Sequence, residues 1–168
     1  MMSAERGSWP GRVWCTLVGA AAFLAGSVAM AEEAQPIQWR EAFVTTESEI
    51  APVEGHDGHY VGMSQQRGFA FHEDGDVATV NVSLTFERSG PRTRYRGYAV
   101  YRFADGSTKV GYFTGRGDPV GAQEGEFRFE GGTGRFAGIR GEGSFSGHAF
   151  PPEGDIYLDV QGVYSLSQ

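Results

Sequence analysis

Residues 130–147 read EGGTGRFAGIRGEGSFSG, and this run decides the fold. Its first half is a tight turn built on Gly131, Gly132, Gly134 and Gly138. Its second half places Gly or an apolar residue at alternate positions, the period of a strand rather than of a helix. Interior glycine weakens a flat strand but permits bends, bulges and close approach of a neighbouring ring or backbone. A crowded, strongly curved antiparallel sheet has use for all three.

Outward from that run the same period recurs. In Val77–Phe86, Val80, Val82, Leu84 and Phe86 share one face while Thr79, Asn81, Ser83 and Thr85 take the other. Ile156–Leu166 repeats the pattern, with Gly162 in its gap. Thr93–Phe103, Thr108–Arg116, Gly125–Glu130, Phe136–His148, Ile37–Thr46 and His59–His72 complete eight segments. Asp74-Gly75 and Asp105-Gly106 are hairpin dipeptides, and Gly90-Pro91 and Pro151-Pro152 mark further corners. Glycine supplies 26 of 168 residues, roughly twice the usual 7%. With 12 Phe and 7 Tyr in the chain, rings laid over glycines of adjacent strands are expected. The reading is all-β: an eight-stranded antiparallel β-barrel, with a two-sheet sandwich as the alternative. Glu47–Gly58, acidic and without alternation, reads as a surface loop or a lid over one barrel mouth.

Residues 1–31 read as a secretory signal peptide. Arg6 and Arg12 precede an apolar run, and Ala29-Met30-Ala31 forms a small-residue cleavage site. Residues 32–168 are then a single domain, periplasmic or secreted, with no stable membrane span after cleavage. Cys15, the one cysteine, leaves with the signal, so neither a disulfide nor a thiol nucleophile remains. The remaining net charge of −8 argues against a phosphate-backbone partner, so no nucleic acid is expected.

Gly131-Gly132-Thr133-Gly134-Arg135-Phe136-Ala137-Gly138 with Arg140-Gly141 resembles the turn-and-strand signature of the allene oxide cyclase and dirigent superfamily. The likeness is closest to its exported bacterial members of unknown function. Tyr157–Tyr164 is similar to that superfamily's closing strand, and Phe103–Ser107 to one of its central hairpins. The resemblance implies an eight-stranded barrel around a cavity, often a homo-trimer. Plant cyclases of the group use a cavity carboxylate and a cysteine, and dirigent proteins use cavity acids and arginines. The mature chain has no cysteine, and none of its acids or arginines aligns with those cavity sets, so the resemblance implies the fold and not a reaction.

Chemistry is read from side chains alone. The Gly-rich turn lacks the Gly-Lys-Ser/Thr ending and following helix of a phosphate loop. Ser144, Ser146 and His148 lie along one strand without a nucleophile turn. His56, His59 and His72 with nearby carboxylates are metal-capable if their segments converge, but no metal or other cofactor is assigned. Arg94, Arg96, Tyr98, Val100 and Arg102 share one strand face. If that face and its neighbours point inward, Tyr98, Arg102, Tyr112, Glu142 and Asp159 are the candidate positioning and proton-transfer groups. If they point outward they form ion pairs on a wetted wall, a reading that the more apolar opposite faces favour. The functional expectation is an exported barrel that binds a small apolar or oxygenated ligand. The alternatives are a cyclase or isomerase that orients a flexible apolar substrate, and a structural or oligomeric envelope protein.

Overall fold

The computed structural model describes residues 33–150 and 154–167. The signal segment 1–31 and the Pro151-Pro152 corner lie outside these residues. Eight strands follow one another: β1 (Gln35–Pro52), β2 (His59–His72), β3 (Val77–Ser89), β4 (Arg92–Phe103), β5 (Thr108–Gly117), β6 (Ala122–Thr133), β7 (Ile139–Phe150) and β8 (Asp155–Leu166). Each pairs antiparallel with its neighbour in sequence, and β8 returns to pair with β1, closing the sheet. Closure removes both free edges, and the sandwich alternative falls.

Side-chain alternation sorts the wall into two faces. Inward stand Ala70, Ala78, Val80, Val82, Ala99, Phe145 and Val160, all buried. Outward stand Arg94, Arg96, Tyr98 and Arg102 of β4, with their counterparts on adjacent strands. The barrel closes tightly because glycines face large rings. Tyr95 of β4 covers Gly115 of β5, Phe145 of β7 covers Gly125 of β6, and Phe127 of β6 reaches across to Gly143 and Gly162. Any side chain at these positions would occupy the space of the ring, so these strand glycines follow from the curvature.

The Gly-rich turn takes the form its residues require. Gly134 (φ 61°) and Gly138 (φ 74°) bracket a single 3₁₀ turn, Gly134–Phe136, in a backbone region that L side chains rarely adopt. Phe136 therefore belongs to the turn, and β7 begins three residues later than the alternation suggests. The Asp-Gly hairpins close as Asx turns. Asp74 Oδ1 accepts from the Asp76 amide at 3.0 Å, and Asp105 Oδ1 accepts from the Ser107 amide at 2.9 Å.

One expectation about the wall needs correction. Glu47–Pro52 is not loop: it continues β1, paired with Tyr60–Gln65 of β2. The register shifts between Thr45 and Glu47, so an extra residue is accommodated there. Trp39, Glu41, Phe43 and Thr45 point inward before the bulge, and Ser48 and Ile50 after it. A change of parity in mid-strand erases simple alternation, which is why the segment looks irregular in sequence. The actual connection is the short stretch 53–58.

Candidate functional site

The barrel has two unlike ends. One carries the β2–β3, β4–β5 and β6–β7 turns. There Arg135 forms ion pairs with Asp76 and, at 3.4 Å, with Asp105, while its guanidinium lies 4.8 Å from the ring centres of Phe103 and Phe136. This arrangement caps the barrel. From the middle toward the other end the interior is open, forming a cavity of about 350 Å³. Its wall is largely apolar, with Phe43, Val82, Leu84, Ala99, Phe113 and Phe145 among its members, and polar groups such as Ser48, Arg88, Thr93 and Gln123 stand nearer the open end.

Glu41 and Tyr101 are the polar groups at its inner end. Glu41 is 4% exposed. Its Oε1 accepts from the Tyr101 hydroxyl at 2.6 Å and from the Trp39 indole N–H. Burial raises the Glu41 pKa above the ordinary carboxylate value; the two hydrogen bonds and the Lys109 charge oppose that shift only in part. Burial likewise holds Tyr101 well above the ordinary phenol value, so it stays a donor. A carboxyl group pushed toward its neutral form at the end of an apolar chamber can donate a hydrogen bond or a proton.

Below this pair lies Lys109, which is fully buried. Among the described residues its Nζ has no hydrogen-bond partner. Five rings surround it at 4.9–5.4 Å from their centres: Trp39, Tyr101, Phe103, Phe129 and Phe136. Each face attracts a cation, yet rings do not replace lost water, and desolvation lowers the Lys109 pKa from 10.5 to about 7. His72 completes the layer, stacked on Trp39 at 5.3 Å with a buried, unpartnered Nε2. Burial, aided by the Lys109 charge, brings its pKa down to about 4, so it is neutral at pH 7.

The residues read from sequence as candidates lie elsewhere. Tyr98, Arg102, Tyr112, Glu142 and Asp159 all sit on the outer face of the wall, and none lines the cavity. Tyr98 and Tyr112 pair edge to face at 5.2 Å, and Arg128 lies over the Tyr112 ring at 4.4 Å. Asp159 meets Arg40 at 3.4 Å and accepts from the Tyr157 hydroxyl at 2.8 Å. This is the wetted-wall arrangement, in which each exposed ion pair contributes at most about 1 kcal/mol. The outward placement has a simple cause: charged side chains keep their hydration by facing water, and the inner face of the wall is largely apolar. His56 and His59 stand at the β1–β2 turn and His72 at the far end of the 14-residue strand β2, so the three histidines do not converge. His59 instead bonds Glu87 at 2.8 Å.

Glu41, Tyr101, Lys109, Trp39 and His72 were not among the sequence candidates, although two signals point to them. Glu41 shares strand parity with Trp39 and Phe43, an acid on an apolar face. Of the fourteen Lys and Arg in the chain, thirteen are Arg, and Lys109 is the single lysine.

No protein-family model matches the chain, and no curated protein matches it. Among solved structures, it is similar to the pterocarpan synthase dirigent protein GePTS1, at 17% identity and a TM-score of 0.51 over 81% of this chain and 92% of that one. It is also similar to the pterocarpan synthase dirigent protein PsPTS1, at 15% identity and the same TM-score, over 82% of this chain and 97% of that one. What these likenesses establish is architecture: the chain adopts the closed eight-stranded barrel of the dirigent proteins.

Proposed function

We propose that this protein is an exported barrel that takes one small, mainly apolar ligand carrying an oxygen function into its cavity. The observation that carries this reading is the cavity itself. At about 350 Å³ it lies within the range of small-molecule sites, and its largely apolar wall ends in two convergent polar groups, Glu41 and Tyr101. Both Glu41 hydrogen bonds fall on Oε1, which leaves Oε2 to carry a proton and present it to a ligand carbonyl, ether or hydroxyl oxygen. The apolar wall contributes affinity and the carboxyl fixes orientation.

A second reading follows from the same carboxyl. A neutral acid held against a flexible apolar substrate could protonate it and direct its cyclisation or isomerisation. Two proteins of this fold carry pterocarpan synthase in their names, which supports considering a reaction here. Orientation is common to both readings, so binding is tested first.

Val82→Trp, placed on the cavity wall, is expected to fill the chamber. Binding of cinnamyl alcohol and of medium-chain fatty acids, measured by calorimetry, should fall at least tenfold, as expected when a well-formed apolar site is blocked. The circular dichroism spectrum should keep its strand signature. Saturable binding that survives in Val82→Trp would place the ligand outside the cavity and overturn this reading.

A further inference from the structure

We propose that Lys109 is a nucleophilic amine that captures an aldehyde or ketone ligand of the cavity as an imine. This rests on the ligand-binding reading and goes beyond it by naming the ligand's functional group and the atom that bonds to it.

The first support is choice of residue. Thirteen basic positions are Arg and the fourteenth is Lys, the one Lys or Arg buried among the described residues. Buried positive charge or simple packing would be served as well or better by other side chains: Arg binds its counter-ions by a fixed fork, and Met fills apolar gaps. What Lys alone among them offers is an amine able to lose its proton and attack carbon. The second support is the orphan state of Nζ. A buried polar atom without a partner is costly, and here nothing in the barrel satisfies it. Bonding to a ligand would give the atom a role that the folded chain leaves open.

Access is the third. On β5 the inward residue after Lys109 is Gly111, and Gly111 lines the cavity while Lys109 does not. Among the described residues, a side chain at Gly111 would have one atom within 4 Å of its Cβ, the Arg128 carbonyl oxygen, at 3.7 Å. The cavity thus reaches a bare stretch of strand one inward position from Lys109, and a ligand's passage to the amine would lie there. A narrow carbonyl end, followed by an apolar tail, matches that passage.

The chemistry balances with groups already in place. The Nζ lone pair attacks the carbonyl carbon, forming the C–N bond, while the carbonyl oxygen takes the Glu41 proton. The nitrogen then loses a proton to the Glu41 carboxylate. The carbinolamine hydroxyl, protonated again from Glu41, departs as water, and the second N–H proton returns to Glu41. Amine and carbonyl become imine and water, with no change of oxidation state. The titratable and charged groups around this amine are Glu41 from β1, the neutral His72 from β2, Asp74 and Asp76 from the β2–β3 turn, and Arg135 from the β6–β7 turn.

The test uses the purified protein with cinnamaldehyde and cyanoborohydride, which freezes an imine as a stable secondary amine. Peptide mass mapping then separates Lys109 from the one other amine, the chain terminus. Expected is a saturable label at Lys109 that excess cinnamyl alcohol blocks, with terminal labelling unaffected. Its initial rate should rise to about pH 7 and then level, following the depressed Lys109 pKa, whereas an ordinary lysine would keep gaining toward about pH 10. Gly111→Val should reduce the rate at least tenfold while leaving thermal unfolding intact, because the added side chain stands in the passage and in no packed atom. Glu41→Gln should slow capture about tenfold, the low end of a general-acid contribution. Lys109 labelled only after unfolding in urea, while cinnamyl alcohol binds the native protein, overturns the imine and leaves ligand binding standing. Failure of the alcohol itself to bind overturns the reading beneath it.

Discussion

Gly143→Ala is expected to cost about 3 kcal/mol, while Gly131→Ala, twelve residues earlier, should change stability by less than about 1 kcal/mol. The two substitutions add the same methyl group to strands of the same barrel. At Gly143 that methyl would collide with the Gln161 carbonyl oxygen, with Cε1 of Phe127 and with the Cα of Gly162. Two of these are backbone atoms of the adjacent strand and cannot swing away. At Gly131 no atom of the described residues lies within 4 Å and the backbone is ordinary, so the methyl merely reduces the freedom of the unfolded chain. A domain stable by roughly 5–15 kcal/mol loses a substantial share of its margin in the first case. Urea unfolding of both variants measures the difference. Equal stabilities would mean that the barrel is wide enough to dispense with its glycines, and the account of its curvature would fail.

That comparison also marks how far the chain could be read unaided. The strands were legible because alternation is a local property: Val80, Val82 and Leu84 declare one face whatever surrounds them. The turns were legible because Asp-Gly and the 131–138 run have few other uses. Rings over glycines were anticipated as a kind of contact, although the pairing of Phe127 with Gly143 needs the register of three strands. The site was not legible, for a physical reason. A search for chemistry goes to strands rich in Arg, Tyr and Glu, and those are the faces that water keeps for itself. The groups that matter inside are few and stand among rings: Glu41 between Trp39 and Phe43, Tyr101 between Ala99 and Phe103, Lys109 beside Gly111. Parity places them on apolar faces, but only the closed sheet brings β1, β4 and β5 around one point. The bulge near Thr45 hid the rest of β1, since it reverses parity partway along the cavity wall.

Replacing Lys109 by Met should make the protein more stable at pH 6, and this advantage should shrink by on the order of 3 kcal/mol by about pH 9. The sign follows from the direction of the shift. The Lys109 pKa is lowered from 10.5 in the unfolded chain to about 7 in the barrel. Below pH 7 both states carry the proton, and the folded state bears the full cost of a dry, unpartnered ammonium. Between pH 7 and 10.5 the unfolded chain holds a proton that the folded one has released, so this group makes the wild type gain stability as pH rises. Met has no proton to lose and suits a cage of rings. Glu41 adds to the convergence. Its pKa is raised, so its contribution is largest at low pH and declines as pH climbs above 4.5. Loss of the Lys109 charge removes one of the influences holding that pKa down, and the decline in the variant then extends to higher pH. His72 acts below this window, because its stability contribution is lost as pH falls from 6.5 through about 4. The raised pKa values of Tyr95 and Tyr101 act above it, from about pH 10. Urea titrations at half-unit steps from pH 6 to pH 9 therefore isolate the buried pair. Parallel stability curves for wild type and variant would show that the amine keeps its proton throughout, and an ammonium that never gives up its proton cannot attack a carbonyl.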